Sequence, residues 1–149
     1  MRLPWPSPTA PLTVDANTNL LTCKSNRFVD NSTNAYAITV NGSPSVQRFS
    51  PFNPTSAYST ATIGGSGYFD GSTSYLTAPS NTAFDLSGSA FTIEAWVYST
   101  ATTTGNSGII SCMGNGANGW ALDVGVNNLG QPGFYSYNPT ITFIQSTLR

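Results

Sequence analysis

Residues 67–98 read GYFDGSTSYLTAPSNTAFDLSGSAFTIEAWVY, and this stretch decides the fold. Gly67-Tyr68-Phe69 runs into Asp70-Gly71, and Ser74-Tyr75-Leu76 follows. Asp-Gly between apolar residues signals a tight hairpin, because glycine accepts the positive φ that such a turn demands. From Phe91 to Tyr98 the chain alternates. Phe91, Ile93, Ala95 and Val97 fall on one side, and Thr92, Glu94, Trp96 and Tyr98 on the other. A period of two over eight residues rich in aromatic and branched side chains predicts a strand with Phe91, Ile93, Ala95 and Val97 on a buried face.

Outward from this stretch, the same punctuation recurs. Leu20–Cys23 reads as a short strand, Phe28-Val29-Asp30 opens the next structured piece, and Asp30-Asn31-Ser32 is a turn. Residues 36–40 alternate and end on Asn41-Gly42, with 46–49 as the return strand. Residues 81–86 suit a short helical turn capped by Ser80 or Asn81. Residues 108–112, 120–124, 133–137 and 140–146 are four further strands, and no useful helix-period segment occurs. Short strands at regular spacing predict an all-β, two-sheet antiparallel sandwich.

The order FDG, YL, FTIEAWVY and then GWALDVG at 119–125 resembles the LamG-like jelly roll of the concanavalin A-like lectin/glucanase superfamily. LLTCKSNRFVDNSTN at 20–34, with residues 49–54 and 64–67, resembles the opening strands of versions found in bacteriophage structural proteins. The resemblance implies a jelly-roll domain over 20–149 behind an extended arm over 1–19. It implies a non-enzymatic virion structural protein, in a capsid decoration or a tail or fibre. Such a protein would be assembled in the host cytoplasm, with other virion proteins and copies of itself as partners. The second reading is a lectin-like carbohydrate-binding module of an adhesin that contacts host-surface glycans. LamG-like domains usually continue past the strand matching 140–146, so the chain reads as a truncated or a shortened jelly roll. Its last sheet edge is then left open to another chain.

Composition narrows the function classes. Only 7% of the 149 residues are charged, and the net charge is −1. No basic patch is available to neutralise phosphates, which argues against nucleic acid. No apolar run is long enough to span a membrane, and the N-terminus lacks the apolar segment of a secretory signal. Glycoside hydrolysis needs two carboxyl groups, and Glu94 is the only glutamate, with Thr92 and Trp96 as its same-face strand neighbours. There is no histidine, so a Ser-His-Asp arrangement is excluded, and two distant cysteines do not make a zinc site. GGSG at 64–67 and GNGANG at 114–119 lack the Lys-Ser/Thr that follows in a phosphate loop. Cys23 and Cys112 could form one disulfide, and two buried free thiols are the preferred reading. The sequons at Asn31 and Asn41 read as turns.

The remaining candidates are binding groups. Tyr135 and Tyr137, on one face of their strand with Phe134 on the other, lie near Asn118 and Asn138 and form the carbohydrate candidate. Trp96 and Trp120 read as packing residues. Asp123 with Asn115 is the metal candidate, with Asn118 and Asp70 as further oxygen donors. Calcium wants six to eight oxygens, so turn chemistry is the preferred reading and no cofactor is expected. Partner contacts are assigned to Trp5, set between Pro4 and Pro6 in an arm with four prolines by residue 11, and to Thr140 and Thr142 of the last strand.

Overall fold

The structure, a computed structural model, describes residues 10–48, 65–86, 88, 90–99, 107–113, 119–126, 131–138 and 140–145. Its contacts gather the chain into two compact units, Met1–Ser80 and Asn81–Arg149. All regular structure among the described residues is antiparallel strand, apart from one 3-10 turn.

The first unit carries β1 (Thr39–Asn41), β2 (Ser45–Gln47), β3 (Ser66–Tyr68) and β4 (Tyr75–Thr77). β1 pairs with β4, Val40 facing Leu76, and β2 pairs with β3, Val46 facing Gly67. These are two stretches of one interrupted ribbon. Residues 42–44 separate the pairs on one side, and the longer run 69–74 separates them on the other.

Both hairpins expected from the sequence are therefore corrected. β1 does not return on β2 through Asn41-Gly42, and β3 does not return on β4 through Asp70-Gly71. The reason lies in the Asp70 carboxylate. Oδ1 accepts from the backbone N–H groups of Ser72, Thr73 and Ser74, each at 2.9 Å, and Oδ2 accepts from Thr73 Oγ1 at 2.8 Å. These donors curl 70–74 into a loop and hold the carboxyl well below the usual range. Ser43 N in turn donates to Ser74 Oγ at 3.3 Å, so the Asn41-Gly42 bend is fastened to that loop.

Leu20–Cys23 is not a strand either. Its backbone is occupied by side chains rather than by a ladder. Leu21 N donates to Asp30 Oδ1 at 3.0 Å, and Leu21 O accepts from Asn31 N at 2.8 Å. The buried Asp30 also accepts from Ser32 N (2.8 Å), Ser32 Oγ (2.7 Å) and Tyr36 N (3.0 Å). Because Tyr36 N is committed to Asp30, the ladder begins only at Thr39. Burial raises the Asp30 carboxyl, but these donors outweigh it and the net shift is downward. Asp15 repeats the device at smaller scale, accepting from Thr18 Oγ1 at 2.8 Å and Asn17 N at 2.9 Å.

The second unit opens with the expected helical turn, Thr82–Phe84, capped by Asn81, whose Oδ1 accepts from Ala83 N at 2.8 Å. Its sheet is a four-stranded meander, β5 (Ser107–Met113), β6 (Gly119–Val126), β7 (Gln131–Asn138) and β8 (Thr140–Gln145), at the positions read from the sequence. One face packs. Trp120 and Phe134 stack with ring centroids 6.4 Å apart, and Phe91 meets Phe134 at 5.5 Å. Trp120 Nε1 donates to Phe84 O at 2.8 Å, which ties the helical turn to β6.

Phe91–Tyr98 departs from expectation. Among the described residues the segment joins no ladder, and Phe91, Trp96, Val97 and Tyr98 are exposed, Ile93 alone being half-buried. Alternation predicts a strand only where a neighbour offers ladder partners. Within the described sheet β5 and β8 are the outer strands, and neither pairs with 91–98.

Candidate binding face of the meander

Ladder register sorts the meander into two faces. Trp120, Leu122 and Phe134 belong to the packed face, with Leu122 paired to Ile110 and Phe134. Ala121 and Asp123 point the other way. Ala121 lies between Ser111 on β5 and Tyr135 on β7, and Asp123 lies between Gly108 and Gly133. The expectation that Tyr135 opposes Phe134 across β7 holds, and so does the packing role of Trp120. Trp96 is corrected as a core residue, since it is exposed.

Asp123 is the unusual member of this face. It is only 8% exposed, yet no donor among the described residues reaches its carboxylate. Burial alone acts on its titration and pushes the carboxyl above the ordinary value. The contrast with Asp15, Asp30 and Asp70, each accepting from its own turn, is plain. On the β5 side the neighbour is Gly108, which carries no side chain. Among the described residues, a Cβ built on Gly108 would meet a single atom within 4 Å, Asp123 Oδ1 at 3.7 Å. Tyr135 stands diagonally across from Asp123, a separation of roughly 7–8 Å that an aromatic side chain spans.

The other candidates fall as follows. Tyr137 faces Gly119 and Ile141 in the ladder, and Asn138 faces Thr140. Thr142 faces Ser136. Thr140 and Thr142 thus belong to β8, which pairs only with β7 among the described residues. Trp5, Asn115 and Asn118 lie outside the described residues. Asp70 is not free for a metal, because its own turn occupies both oxygens. No group of three or more His, Cys, Asp or Glu able to hold a metal ion occurs among the described residues. One carboxylate between two glycines does not fit a calcium sphere. Cys23 and Cys112 are free thiols, and burial pushes the Cys23 thiol up. The residue that sequence reading undervalued is Asp123 as a buried charge that no described donor reaches. Its signal was the glycine placed on each flanking strand, visible only once the register is known.

Comparison with known families settles the lineage. Residues 70–148, more than half of the chain, match the Laminin_G_3 family, described as concanavalin A-like lectin/glucanases superfamily. The chain belongs to that family. Its fold is accordingly the superfamily's antiparallel β-sandwich, and the all-β ladders described above agree with it. Laminin-G-like domains are generally non-catalytic binding modules, although the superfamily also includes glucanases. No curated protein and no solved structure matches the chain. No helix among the described residues is long and apolar enough to cross a membrane.

Proposed function

We propose that this chain is a non-enzymatic structural domain of a phage virion, in a capsid decoration or a tail or fibre, that assembles with copies of itself and with other virion proteins. The observation that carries this reading is the edge of the meander. β8 presents one side of its ladder to β7, and no described residue occupies the other. A row of open N–H and C=O groups is a template for a neighbouring strand. The exposed apolar residues Phe91, Val97 and Met113 in the same unit add surface that a partner would cover. The low charge of the chain supports the same reading, because weak colloidal repulsion favours association.

Light scattering of the purified chain across a concentration series tests it. Growth in mass with concentration is expected. A chain that stays monomeric at high concentration and in the presence of virion partners would overturn the reading. Catalysis is not part of it, because glycoside hydrolysis needs a second carboxyl group beside Glu94. Release of reducing sugar from β-glucans that is lost on Glu94→Gln would refute that point.

Tyr135 supports a second reading, a carbohydrate-binding module. Its side chain belongs to the face opposite the Trp120–Phe134 stack, next to Ala121 and diagonal to Asp123, with Ser111 one strand further on. Glycan binding by the monomer, lost on Tyr135→Ala, would favour this reading over assembly.

A further inference from the structure

We propose that Asn41 is a self-modification site, converted to aspartate and isoaspartate through attack by the Gly42 backbone nitrogen, and that the change unfastens β1 from β4 and from the 70–74 loop. Water is the only co-reactant. The Gly42 nitrogen bonds to Asn41 Cγ and gives up its proton, and the Cγ–Nδ2 bond breaks as ammonia leaves. Water then opens the five-membered imide. Opening at the side-chain carbonyl gives aspartate. Opening at the main-chain carbonyl gives isoaspartate, whose backbone runs through the former side chain. Nothing is oxidised or reduced.

The site is singled out by three comparisons within the first unit. Gly42 has no side chain to crowd the attacking nitrogen, and both Gly42 and Ser43 are exposed. The Asn41 amide is held loosely, Nδ2 donating to Thr39 O and to Thr77 Oγ1 at 3.5 Å each, the outer limit of a hydrogen bond. Asn31 is the opposite case. Its Nδ2 donates to Leu21 O at 3.3 Å and Val29 O at 3.2 Å, and the nitrogen that would attack it, Ser32 N, is committed to Asp30 Oδ1 at 2.8 Å. Asp70-Gly71 carries the same dipeptide geometry, Gly71 also taking φ +70. There the electrophile is a carboxylate, turned onto the N–H groups of Ser72, Thr73 and Ser74 and kept ionised by them, and an ionised carboxylate resists imide closure. Attack needs the reacting atoms roughly 3–3.5 Å apart, so Asn41 must first leave the ladder. β1 is three residues long, and short elements open at the low end of the local stability range.

The consequence follows from what Gly42 touches. A Cβ on Gly42 would stand 2.5 Å from Thr73 O and 2.9 Å from Ser74 Cα. The methylene that isoaspartate inserts into the backbone beside it has no room there. The pairing of Asn41 with Tyr75 and the 3.3 Å bond from Ser43 N to Ser74 Oγ are then lost together. In the aspartate product an oxygen replaces Nδ2 and faces Thr39 O, acceptor against acceptor. Either product takes the net charge from −1 to −2, by the one carboxylate added.

The test holds the full-length chain at mildly alkaline pH in heavy-oxygen water and maps it by mass spectrometry. Trypsin cuts after Arg27 and Arg48, so Asn41 falls in the peptide 28–48, apart from Asn115-Gly116 and Asn118-Gly119, which lie outside the described residues. Heavy oxygen is expected at position 41 and at neither Asn31 nor Asp70. The folded chain should convert within about tenfold of the free peptide 36–48, YAITVNGSPSVQR, the factor that an opening cost of about 1.4 kcal/mol imposes. Asn41→Gln should abolish the label in 28–48. Converted chain, separated by its added charge, should show faster amide exchange at Val40, Ser43 and Leu76 than the unconverted chain, with exchange at Leu21 and Tyr36 unchanged.

Conversion slower than that tenfold bound, or label at Asn31 or Asp70 equal to that at Asn41, overturns the site. Conversion that leaves exchange at Val40 and Leu76 unchanged overturns the unfastening. Neither result bears on self-assembly, which the light-scattering series reads separately.

Discussion

Replacing Asp30 should dismantle the fastening of residues 19–36, and the structure sets the magnitude. Four donors converge on this one carboxylate: Leu21 N, Ser32 N, Ser32 Oγ and Tyr36 N, at 2.7–3.0 Å. At roughly 1 kcal/mol net for each, Asp30→Ala removes about 4 kcal/mol. Asp30→Asn keeps one acceptor oxygen and turns an amide donor toward the remaining donors, so about half of that is lost. With a urea slope of about 2 kcal/mol/M, the alanine variant's midpoint falls by about 2 M. Amide exchange at Leu21, Ser32 and Tyr36 localises the effect, since these N–H groups would exchange through the loosened segment. The sign of the pH dependence follows from the same geometry. The folded carboxyl lies below its unfolded value, so its contribution is complete above about pH 4 and is lost as pH falls through the folded value. Asp30→Asn should flatten that acid limb. A midpoint shift worth less than about 1 kcal/mol for Asp30→Ala, or an acid limb unchanged in Asp30→Asn, would refute the reasoning.

Three further outcomes follow from packing. Trp120→Phe keeps an aromatic ring beside Phe134 but leaves Phe84 O without its 2.8 Å donor, at a cost of about 1–2 kcal/mol by chemical denaturation. Gly42→Ala and Gly71→Ala should differ although both glycines have φ +70. A Cβ at Gly42 would stand 2.5 Å from Thr73 O, whereas none of the described atoms lies within 4 Å of one at Gly71. Gly71→Ala is expected to cost about 1 kcal/mol, the left-handed penalty alone, and Gly42→Ala clearly more, read from paired melting curves. Phe91→Ala should cost about 1–2 kcal/mol rather than the ~3–5 kcal/mol of a buried phenylalanine, because the ring is 47% exposed and keeps one aromatic neighbour, Phe134.

The meander was legible in the sequence because each strand from 107 to 145 is long enough to show its own alternation, and the loops between them are rich in glycine and asparagine. The Asn81 cap was legible for a similar reason, as capping is decided within four residues. The first unit was harder. Its strands are three residues long, too short for a period to register, and their pairing is set by side chains far along the chain. Asp70-Gly71 carries a strong hairpin signal, and Gly71 does take φ +70. What the dipeptide cannot reveal is that Ser72, Thr73 and Ser74 turn their N–H groups onto the aspartate and enlarge the turn into a loop. Asp30 was read as an ordinary turn residue for the same reason. Its reach to Leu21 and Tyr36 spans nine residues back and six forward, beyond any local pattern.

Asp123 and Phe91–Tyr98 teach a related lesson about function. Local rules and the folded unit agree almost everywhere in the meander, and they disagree at these two places. A strand-like sequence that joins no ladder among the described residues, and a buried carboxylate that no described donor reaches, both depart from local consistency. Sites where local consistency fails are where function is sought first. The two features differ in what they say. Apolar exposure at 91–98 asks only for cover, and many surfaces would supply it. Asp123 is the more specific departure, an acid between two glycines and diagonal to Tyr135 whose carboxylate no described donor reaches. If stability alone had shaped position 123, a neutral side chain would serve better there than aspartate. A higher melting temperature in Asp123→Asn would show a charge retained at the expense of the fold, and a lower one would show that the carboxylate is held by the fold itself.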